Sequence, residues 1–296
     1  MRAELAALTD WARAARPVFV VGPARSGTSM LHLALRRHSA LFAVGGVFET
    51  FLFHKPRAPL EDPVPGMMRS YLKGAPGVAA VRAAVAALEA GAEPLGNDDL
   101  IRVFFQVAQQ QLYEGRRPLE KTPSHVHNLP AIFRIFPQAR VLACVREPVE
   151  ILSSYRQRLA REQALGKPPE TWAWLNVDDD NLLAQLRRVK KSLQTAARDF
   201  PGQVFQVPYG WITAEPEAAL RQICAFVDEA FEPAMLDAEQ TVDRKVDPRL
   251  ARPIAPSEVT PASVLGAEVA AGFVASTPYM SAAWRRIGPL SAAGQS

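Results

Sequence analysis

Two hydrophobic patterns alternate along the chain. Short continuous apolar runs, such as PVFVV at residues 17–21 and RVLACV at residues 140–145, are typical of strands buried on both faces of a parallel sheet. Longer segments in which apolar residues recur at helical spacing predict amphipathic helices. The predicted strands cover residues 17–21, 117–121, 140–145 and 203–207, and the predicted helices cover residues 3–15, 28–37, 78–90, 98–113, 126–136, 148–163, 178–200 and 215–227.

The order of these elements predicts an α/β fold. The chain begins with a helix, a strand, a glycine-containing loop and a second helix, which is half of a phosphate-binding βαβ unit. We therefore expect a P-loop-like three-layer sandwich, with a central, mostly parallel sheet flanked by helices. Residues 1–296 are interpreted as one domain with a helical insertion at about 55–115 and an irregular C-terminal segment at about 229–296. Asn97 or Asp98 is the expected N-cap of the helix near residue 98.

Composition and charge narrow the function. The 296 residues are 48% hydrophobic and carry a formal net charge of +4, with no contiguous Lys/Arg tract of the kind that binds nucleic acid. The excess of positive charge is compatible with a small anionic ligand, and no nucleic-acid partner is expected. Two cysteines, Cys144 and Cys224, are too few for a disulfide framework or a zinc site and are interpreted as buried free thiols. The N-terminal residues show no signal-peptide pattern and no apolar run reaches ~18 residues, so we expect a cytoplasmic protein without a membrane span.

The first candidate anion site is the loop GPARSGTS at residues 22–29. It has the two glycines of a P-loop between a strand and a helix, but Thr28 and Ser29 stand where a nucleotide triphosphatase has Lys and Ser/Thr. Backbone N–H groups and the helix N-terminus remain, without the lysine that grips a triphosphate. The loop therefore suits a single phosphate. The competing interpretation is a strand-to-helix turn that binds nothing.

The second candidate anion site lies in ARVLACVREPVEILSS at residues 139–154. Arg146 follows a strand, at the edge of the sheet where ligands bind in open α/β folds, and Ser154 lies two helical turns further. A guanidinium and a hydroxyl are a suitable pair for a second phosphate.

These residues resemble the PAPS-dependent sulfotransferases, which use 3′-phosphoadenosine-5′-phosphosulfate, particularly the bacterial members and the tyrosylprotein sulfotransferases. In that family a loop like VGPARSGTS holds the 5′-phosphosulfate, and an Arg followed eight residues later by Ser, as in Arg146 and Ser154, binds the 3′-phosphate. Residues 119–148 and 204–227 also resemble family sequence, with Tyr209 at the usual tyrosine. The resemblance implies transfer of a sulfuryl group from PAPS to an acceptor hydroxyl or similar nucleophile by in-line displacement, which releases 3′,5′-adenosine bisphosphate.

The resemblance also suggests roles in the phosphate loop. Arg25 occupies the position of a family lysine or arginine and would contact the transferring group. The 5′-phosphate would be held by four consecutive residues of the loop, Ser26, Gly27, Thr28 and Ser29. The alternative for the hydroxyls of Thr28 and Ser29 is capping of the following helix.

Two residues compete for the role of catalytic base. Glu49 lies near the position of the glutamate base of the tyrosylprotein branch, although its spacing from the loop is longer here. His125 is the competitor, because a histidine can accept a proton at neutral pH. Lys121 would stabilise charge on the leaving phosphate, or else form an ordinary ion pair with Glu120 or Glu147. Tyr209 would lie near the nucleotide or pack in the core.

Several alternatives stay open at this point. A small-molecule kinase or a non-catalytic nucleotide-binding protein of the same fold would share the strand, loop and helix. PAPS is the expected co-substrate, no metal is expected, and the acceptor is a small molecule or a peptide. The sequence also leaves open a homodimer. The basic pairs Arg244–Lys245 and Arg285–Arg286 are interpreted as solvated surface rather than as 3′-phosphate ligands.

Overall fold

The structure, a computed structural model, describes residues 3–44, 49–56, 74–90, 94–237 and 253–277. In chain order the strands and α-helices are α1 (Ala3–Ala14), β1 (Val18–Val21), α2 (Thr28–Leu35), β2 (Leu41–Ala43), α3 (Ala75–Glu89), α4 (Asn97–Val107), β3 (Arg117–Lys121), α5 (Leu129–Ile135), β4 (Arg140–Val145), α6 (Pro148–Ala164), α7 (Pro169–Trp172), α8 (Asp179–Asp199), β5 (Val204–Pro208), α9 (Tyr209–Ala214), α10 (Pro216–Phe226), α11 (Pro261–Leu265) and α12 (Ala267–Ser276). The turn Ala108–Leu112 is π-helical, and Pro123–His127, Ala173–Leu175 and Pro233–Leu236 are 3₁₀ turns.

The strands form one parallel sheet in the order β2-β3-β1-β4-β5. Strand β1 is central, and its Val18 is in register with Leu119 of β3 and Arg140 of β4. Strand β5, whose position the sequence left open, is at the edge. Because all strands point the same way, the loops after β1, β3 and β4 leave the sheet at one edge, where open α/β folds bind ligands.

Both faces of the sheet are buried. In β1, Phe19 and Val21 belong to the larger core, which packs against α1, α4, α5, α6 and α8, whereas Val18 and Val20 belong to a second core with α2 and α10. Alternate residues of a strand point to opposite faces, so the continuous apolar run PVFVV serves both layers at once. The predicted three-layer sandwich with a parallel central sheet is confirmed.

Three elements differ from the prediction. Strand β2 (Leu41–Ala43) was not predicted, because three residues are too few to establish a hydrophobic period. The helix expected from residue 126 begins at Leu129, because Pro123–His127 forms a 3₁₀ turn and Pro130 lies in the first helical turn. The predicted helix at residues 98–113 is split into α4 and the π-helical turn.

The start of α4 also differs from the prediction. Gly96, in an extended conformation, is the N-cap, and Asn97 is the first helical residue. Asp98, the other predicted cap, instead accepts two hydrogen bonds of 2.9 Å from the guanidinium of Arg134. Its charge still favours the first turn of the helix, where the dipole is positive.

Both cysteines are free and buried, as predicted. Burial raises the pKa of Cys144, and burial together with the carboxylates of Glu229 and Glu232 raises the pKa of Cys224 to about 11. Since the thiolate is the reactive form, we expect Ellman's reagent to modify neither thiol in the native protein and both after unfolding in guanidinium. Immediate modification of either thiol in the native protein would contradict this expectation.

Within the described ranges, no helix is both long enough and apolar enough to cross a bilayer. The extent of the single domain stays a prediction.

Candidate functional site

The candidate site lies at the carboxyl edge of the sheet. Gly22 follows β1, Lys121 ends β3, and Arg146 follows β4. These strands are neighbours in the sheet, with β1 between the other two. The two sequence motifs and the EKTP segment are therefore brought to one place by the topology alone.

The phosphate loop is tightly packed against its neighbours. Gly22 has φ 140°, its N–H donates to Pro123 O at 3.1 Å, and a Cβ there would lie 2.3 Å from Cys144 O in β4. Gly27 has φ 99°, and a Cβ there would lie 2.9 Å from the ring of Tyr209. Both positions accept only glycine without movement of their neighbours.

The start of α2 is not capped by a side chain. Gly27 is the N-cap, in a left-handed conformation, and it makes no side-chain cap bond, so the predicted alternative of capping by Thr28 or Ser29 is wrong. The hydroxyl of the buried Ser26 donates to Pro23 O at 2.7 Å and shapes the loop. The positive end of the helix and its first N–H groups therefore face the loop, as an anion site requires.

Arg25 and Arg146 join the two anion motifs. Arg25 has φ 68°, an uncommon conformation for a non-glycine residue, and its Nε donates to Ser154 Oγ at 3.2 Å. Nη1 of Arg146 donates to the carbonyl of Arg25 at 3.2 Å, and its Nε lies 3.4 Å from Glu150 Oε2. Two guanidinium groups and a hydroxyl are thus brought together, although Arg25 is more than a hundred positions away from Arg146 and Ser154 in the sequence.

Tyr209 orients Arg146 at the site. The guanidinium of Arg146 lies 3.8 Å from the centre of the Tyr209 ring, within the range of a cation–π contact. The ring also lies against Gly27 of the phosphate loop. Tyr209 is thus half-buried beside the loop and Arg146, and its place near a nucleotide stays a prediction.

Glu49 and Lys121 form the other half of the site. Lys121 Nζ lies 3.5 Å from Glu49 Oε1, and the lysine is 4% exposed while the Glu49 side chain is 35% exposed. An ion pair of Lys121 was predicted with Glu120 or Glu147, but its partner in the structure is Glu49. Lys121 and Glu120 are consecutive in β3, so their side chains point to opposite faces.

His125 is sealed in a buried polar group. Glu120, 0% exposed, accepts hydrogen bonds from Thr50 Oγ1 at 2.7 Å, Thr122 Oγ1 at 2.6 Å and His125 Nδ1 at 3.0 Å. We call these four residues the Glu120 cluster. His125 is also 0% exposed, with the Phe53 ring centre 5.0 Å from its own. Of the two candidate bases, Glu49 is therefore exposed to solvent and His125 is not.

Sequence reasoning missed two residues at the site. Tyr155, next to Ser154, is 4% exposed; burial raises its pKa, the charge of Arg25 lowers it and that of Glu49 raises it. Tyr155 thus lies near both halves of the site, and an aromatic residue directly after Ser154 was the available signal.

His32 of α2 is also buried, and burial, followed by the charges of Lys121 and Arg36, holds its pKa well below the usual value. His32 is therefore neutral beside Lys121, for which the sequence offered no signal.

The basic residues Arg244, Lys245, Arg285 and Arg286 lie outside the described residues, as do residues 57–73 of the insertion. Among the described residues, no group of three or more His, Cys, Asp or Glu side chains could hold a metal ion, and metal independence stays a prediction.

Comparison with solved structures shows the shared fold. A sulfotransferase domain from the curacin biosynthetic pathway aligns with a TM-score of 0.53 and 17% identity, covering 93% of this chain and 96% of that one. A sulfotransferase from Alicyclobacillus acidocaldarius aligns with a TM-score of 0.51 and 19% identity, covering 92% of this chain and 100% of that one.

Sequence comparison identifies a relative of this chain and the family to which it belongs. A protein of Aquifex aeolicus (strain VF5), described as uncharacterized, is 23% identical over 239 residues, covering 76% of this chain. The chain spans only 27% of that relative's length. The model described as "Sulfotransferase family" matches residues 17–233, from the start of β1 to the segment after α10. This match covers most of the chain, and it shows that the chain belongs to the sulfotransferase family.

Proposed function

We propose that the site takes PAPS as the sulfuryl donor and transfers the sulfuryl group to an acceptor hydroxyl. The family implies PAPS as a co-substrate in general. The observation that carries the assignment to this site is the chain of contacts from Ser154 to Arg25 and from Arg25 to Arg146, each 3.2 Å long. Those contacts unite the phosphate loop and the second motif in one cluster of anion-binding donors.

The donor would be held at both ends of its adenosine. The backbone of Ser26, Gly27, Thr28 and Ser29, at the positive end of α2, fits a 5′-phosphate. Arg146 and Ser154 fit a 3′-phosphate, since a planar guanidinium presents paired N–H groups to phosphate oxygens. The cation–π contact with Tyr209 keeps Arg146 facing the loop.

Glu49 and Lys121 would carry the chemistry. Glu49 takes the proton of the acceptor hydroxyl while the acceptor oxygen attacks sulfur and the bond from sulfur to the 5′-phosphate oxygen breaks. The products are the sulfated acceptor, 3′,5′-adenosine bisphosphate and a proton left on Glu49. Arg25 and Lys121 stabilise charge on the transferring group and the leaving phosphate, as electrostatic catalysis requires.

The acceptor is proposed to be a small molecule or a peptide that presents its hydroxyl to Glu49. Phe51, two residues after Glu49, is 39% exposed and offers an apolar surface beside the base. Turnover can be followed as release of adenosine bisphosphate from PAPS, with a panel of phenols, primary alcohols, sugars and tyrosine peptides, and with water alone as the background acceptor.

Calorimetry with 3′,5′-adenosine bisphosphate, AMP and ATP tests the donor assignment. We expect the bisphosphate to bind most tightly, and Arg146→Ala to weaken its binding by about 10- to 100-fold, because a hydrogen bond to a charged group is lost. Binding of AMP, which lacks the 3′-phosphate, should change by less than about threefold in the same variant.

Arg140→Ala is the matched control for this experiment. It removes an arginine from the opposite end of β4, where Arg140 contacts Gly202 O and Asp228, and should leave all three affinities unchanged. Equal affinity of the wild-type protein for AMP and the bisphosphate would remove the role of Arg146 and Ser154. Tightest binding of ATP would contradict the donor assignment.

A further inference from the structure

The Glu120 cluster holds the two residues that follow Glu49. Thr50 Oγ1 donates to Glu120 at 2.7 Å, and the backbone N–H of Thr50 donates to Thr122 Oγ1 at 3.0 Å. The N–H of Phe51 lies 3.4 Å from the same hydroxyl. Both the side chain and the backbone next to Glu49 are therefore fixed to the end of β3.

Residues 49–50 meet residues 120–121 in two adjacent contacts. The inner contact is the buried hydrogen bond between Thr50 and Glu120, and the outer contact is the ion pair between Glu49 and Lys121. Glu120 and Lys121 are consecutive in β3, so their side chains point in opposite directions, and Thr50 contacts the first while Glu49 contacts the second. Fixing Thr50 inward therefore sets the direction in which the Glu49 carboxylate leaves the chain.

The Glu120 carboxylate is charged and hydrogen-bonded at both oxygens, whereas the buried Nε2 of His125 has no hydrogen-bond partner among the described residues. Burial raises the pKa of Glu120, but the charge of His125 and hydrogen bonds from His125, Thr122 and Thr50 outweigh burial and hold that pKa below its usual value. Glu120 is thus a carboxylate at neutral pH, and hydrogen bonds to an ionised acceptor are stronger than neutral ones. A buried carboxylate is costly to maintain, so a packed apolar residue would be the simpler choice for stability alone.

The backbone conformation at Phe51 also indicates that residues 49–51 are held in place for function. Phe51 has φ 52°, which is uncommon for a bulky residue. Such a conformation persists only where the surroundings determine it strongly, and it occurs preferentially at functional sites. Here the surroundings include the hydroxyl of Thr122, which lies within reach of the Phe51 N–H.

We propose that Thr50 and Glu120 are positioning residues, which hold Glu49 in the direction needed to take the acceptor proton. This inference rests on the proposed role of Glu49 as the base. Thr122 donates to the same oxygen of Glu120 as Thr50, and His125 donates to the other oxygen. The function of His125 in this assignment is to donate to Glu120.

Kinetics of Thr50→Val and Thr50→Ser test the proposal. Valine has the shape of threonine without the hydroxyl, and serine keeps the hydroxyl. Turnover is measured with the acceptor of the panel that gives the highest rate, or with water if no other acceptor reacts. We expect Thr50→Val to lower kcat by about 10- to 100-fold, because misplacing a catalytic group reduces the rate by this factor. The KM for PAPS should stay within about twofold, and Thr50→Ser should retain kcat within about threefold.

A double-mutant cycle with Glu49→Gln separates positioning from a general structural role. If Thr50 acts through Glu49, Thr50→Val should lower the residual rate of the Glu49→Gln variant by less than about threefold. An equal loss in both backgrounds would overturn the proposal, as would a loss accompanied by weaker binding of adenosine bisphosphate. If Thr50→Val does not fold, as judged by circular dichroism and thermal unfolding, Thr50→Ala removes the same hydroxyl with a smaller side chain and replaces it in the cycle.

The same experiment separates this inference from the proposed function. Full activity of Glu49→Gln would refute the base, and the positioning role with it. A large loss in Glu49→Gln with full activity in both Thr50→Val and Thr50→Ala would keep the base and refute only the positioning role.

Discussion

Glu49→Gln is expected to lower kcat by about 10²- to 10⁴-fold, the usual contribution of a general base. The amide keeps the size of the side chain and loses the ability to take a proton from the acceptor. Because Glu49 is proposed to act on the acceptor and not to hold the donor, binding of adenosine bisphosphate should change by less than about threefold. The measurements are turnover of PAPS and calorimetry of the bisphosphate.

His125→Asn supplies the comparison for this prediction. His125 is fully buried against Glu120, so its replacement should disturb the Glu120 cluster and reduce kcat less than Glu49→Gln does. An active Glu49→Gln variant beside an inactive, folded His125→Asn variant would reassign the base to His125.

Gly22→Ala is expected to destabilise the protein by about 3–5 kcal/mol or to prevent folding, because it combines backbone strain with a steric clash. A Cβ at Gly22 would lie 2.3 Å from the carbonyl oxygen of Cys144, which is backbone in the centre of the sheet and cannot move aside cheaply. Denaturant unfolding followed by circular dichroism measures the change in the free energy of unfolding.

Gly115→Ala is the matched control for Gly22→Ala. Gly115 also has a positive φ, 77°, but nothing lies within 4 Å of a Cβ there. Only the strain of a left-handed conformation remains, which costs about 1–2 kcal/mol. Equal destabilisation by the two substitutions would show that the contact with Cys144 contributes nothing.

The fold was largely predictable because its central strands are buried on both faces. Residues 140–145 were predicted with the bounds that the structure has, since a continuous apolar run such as RVLACV has few other uses. Residues 117–121 were also predicted with the bounds of β3, although their sequence, RPLEK, is not an apolar run. Strand β2 and the start of α5 were not, because each depends on tertiary pairing or on a local turn rather than on a hydrophobic period.

The candidate site was predictable only where a motif carries it. Arg25, Arg146 and Ser154 were selected from the spacing of two motifs, and the structure places them in contact. The pairing of Lys121 with Glu49 and of Glu120 with Thr50 joins positions about 70 residues apart, and no local pattern encodes such contacts. Their roles stay predictions for the experiments described above.

The planar guanidinium of Arg146 contacts three neighbours: the ring of Tyr209, the carbonyl of Arg25 and the carboxylate of Glu150. A lysine at this position would retain the positive charge but, as a compact point charge, would give up the face-on contact and the forked geometry. If Arg146 binds the 3′-phosphate as proposed, discrimination between nucleotides with and without that phosphate depends on the shape of the cation as well as on its sign, and replacing arginine by lysine would weaken it.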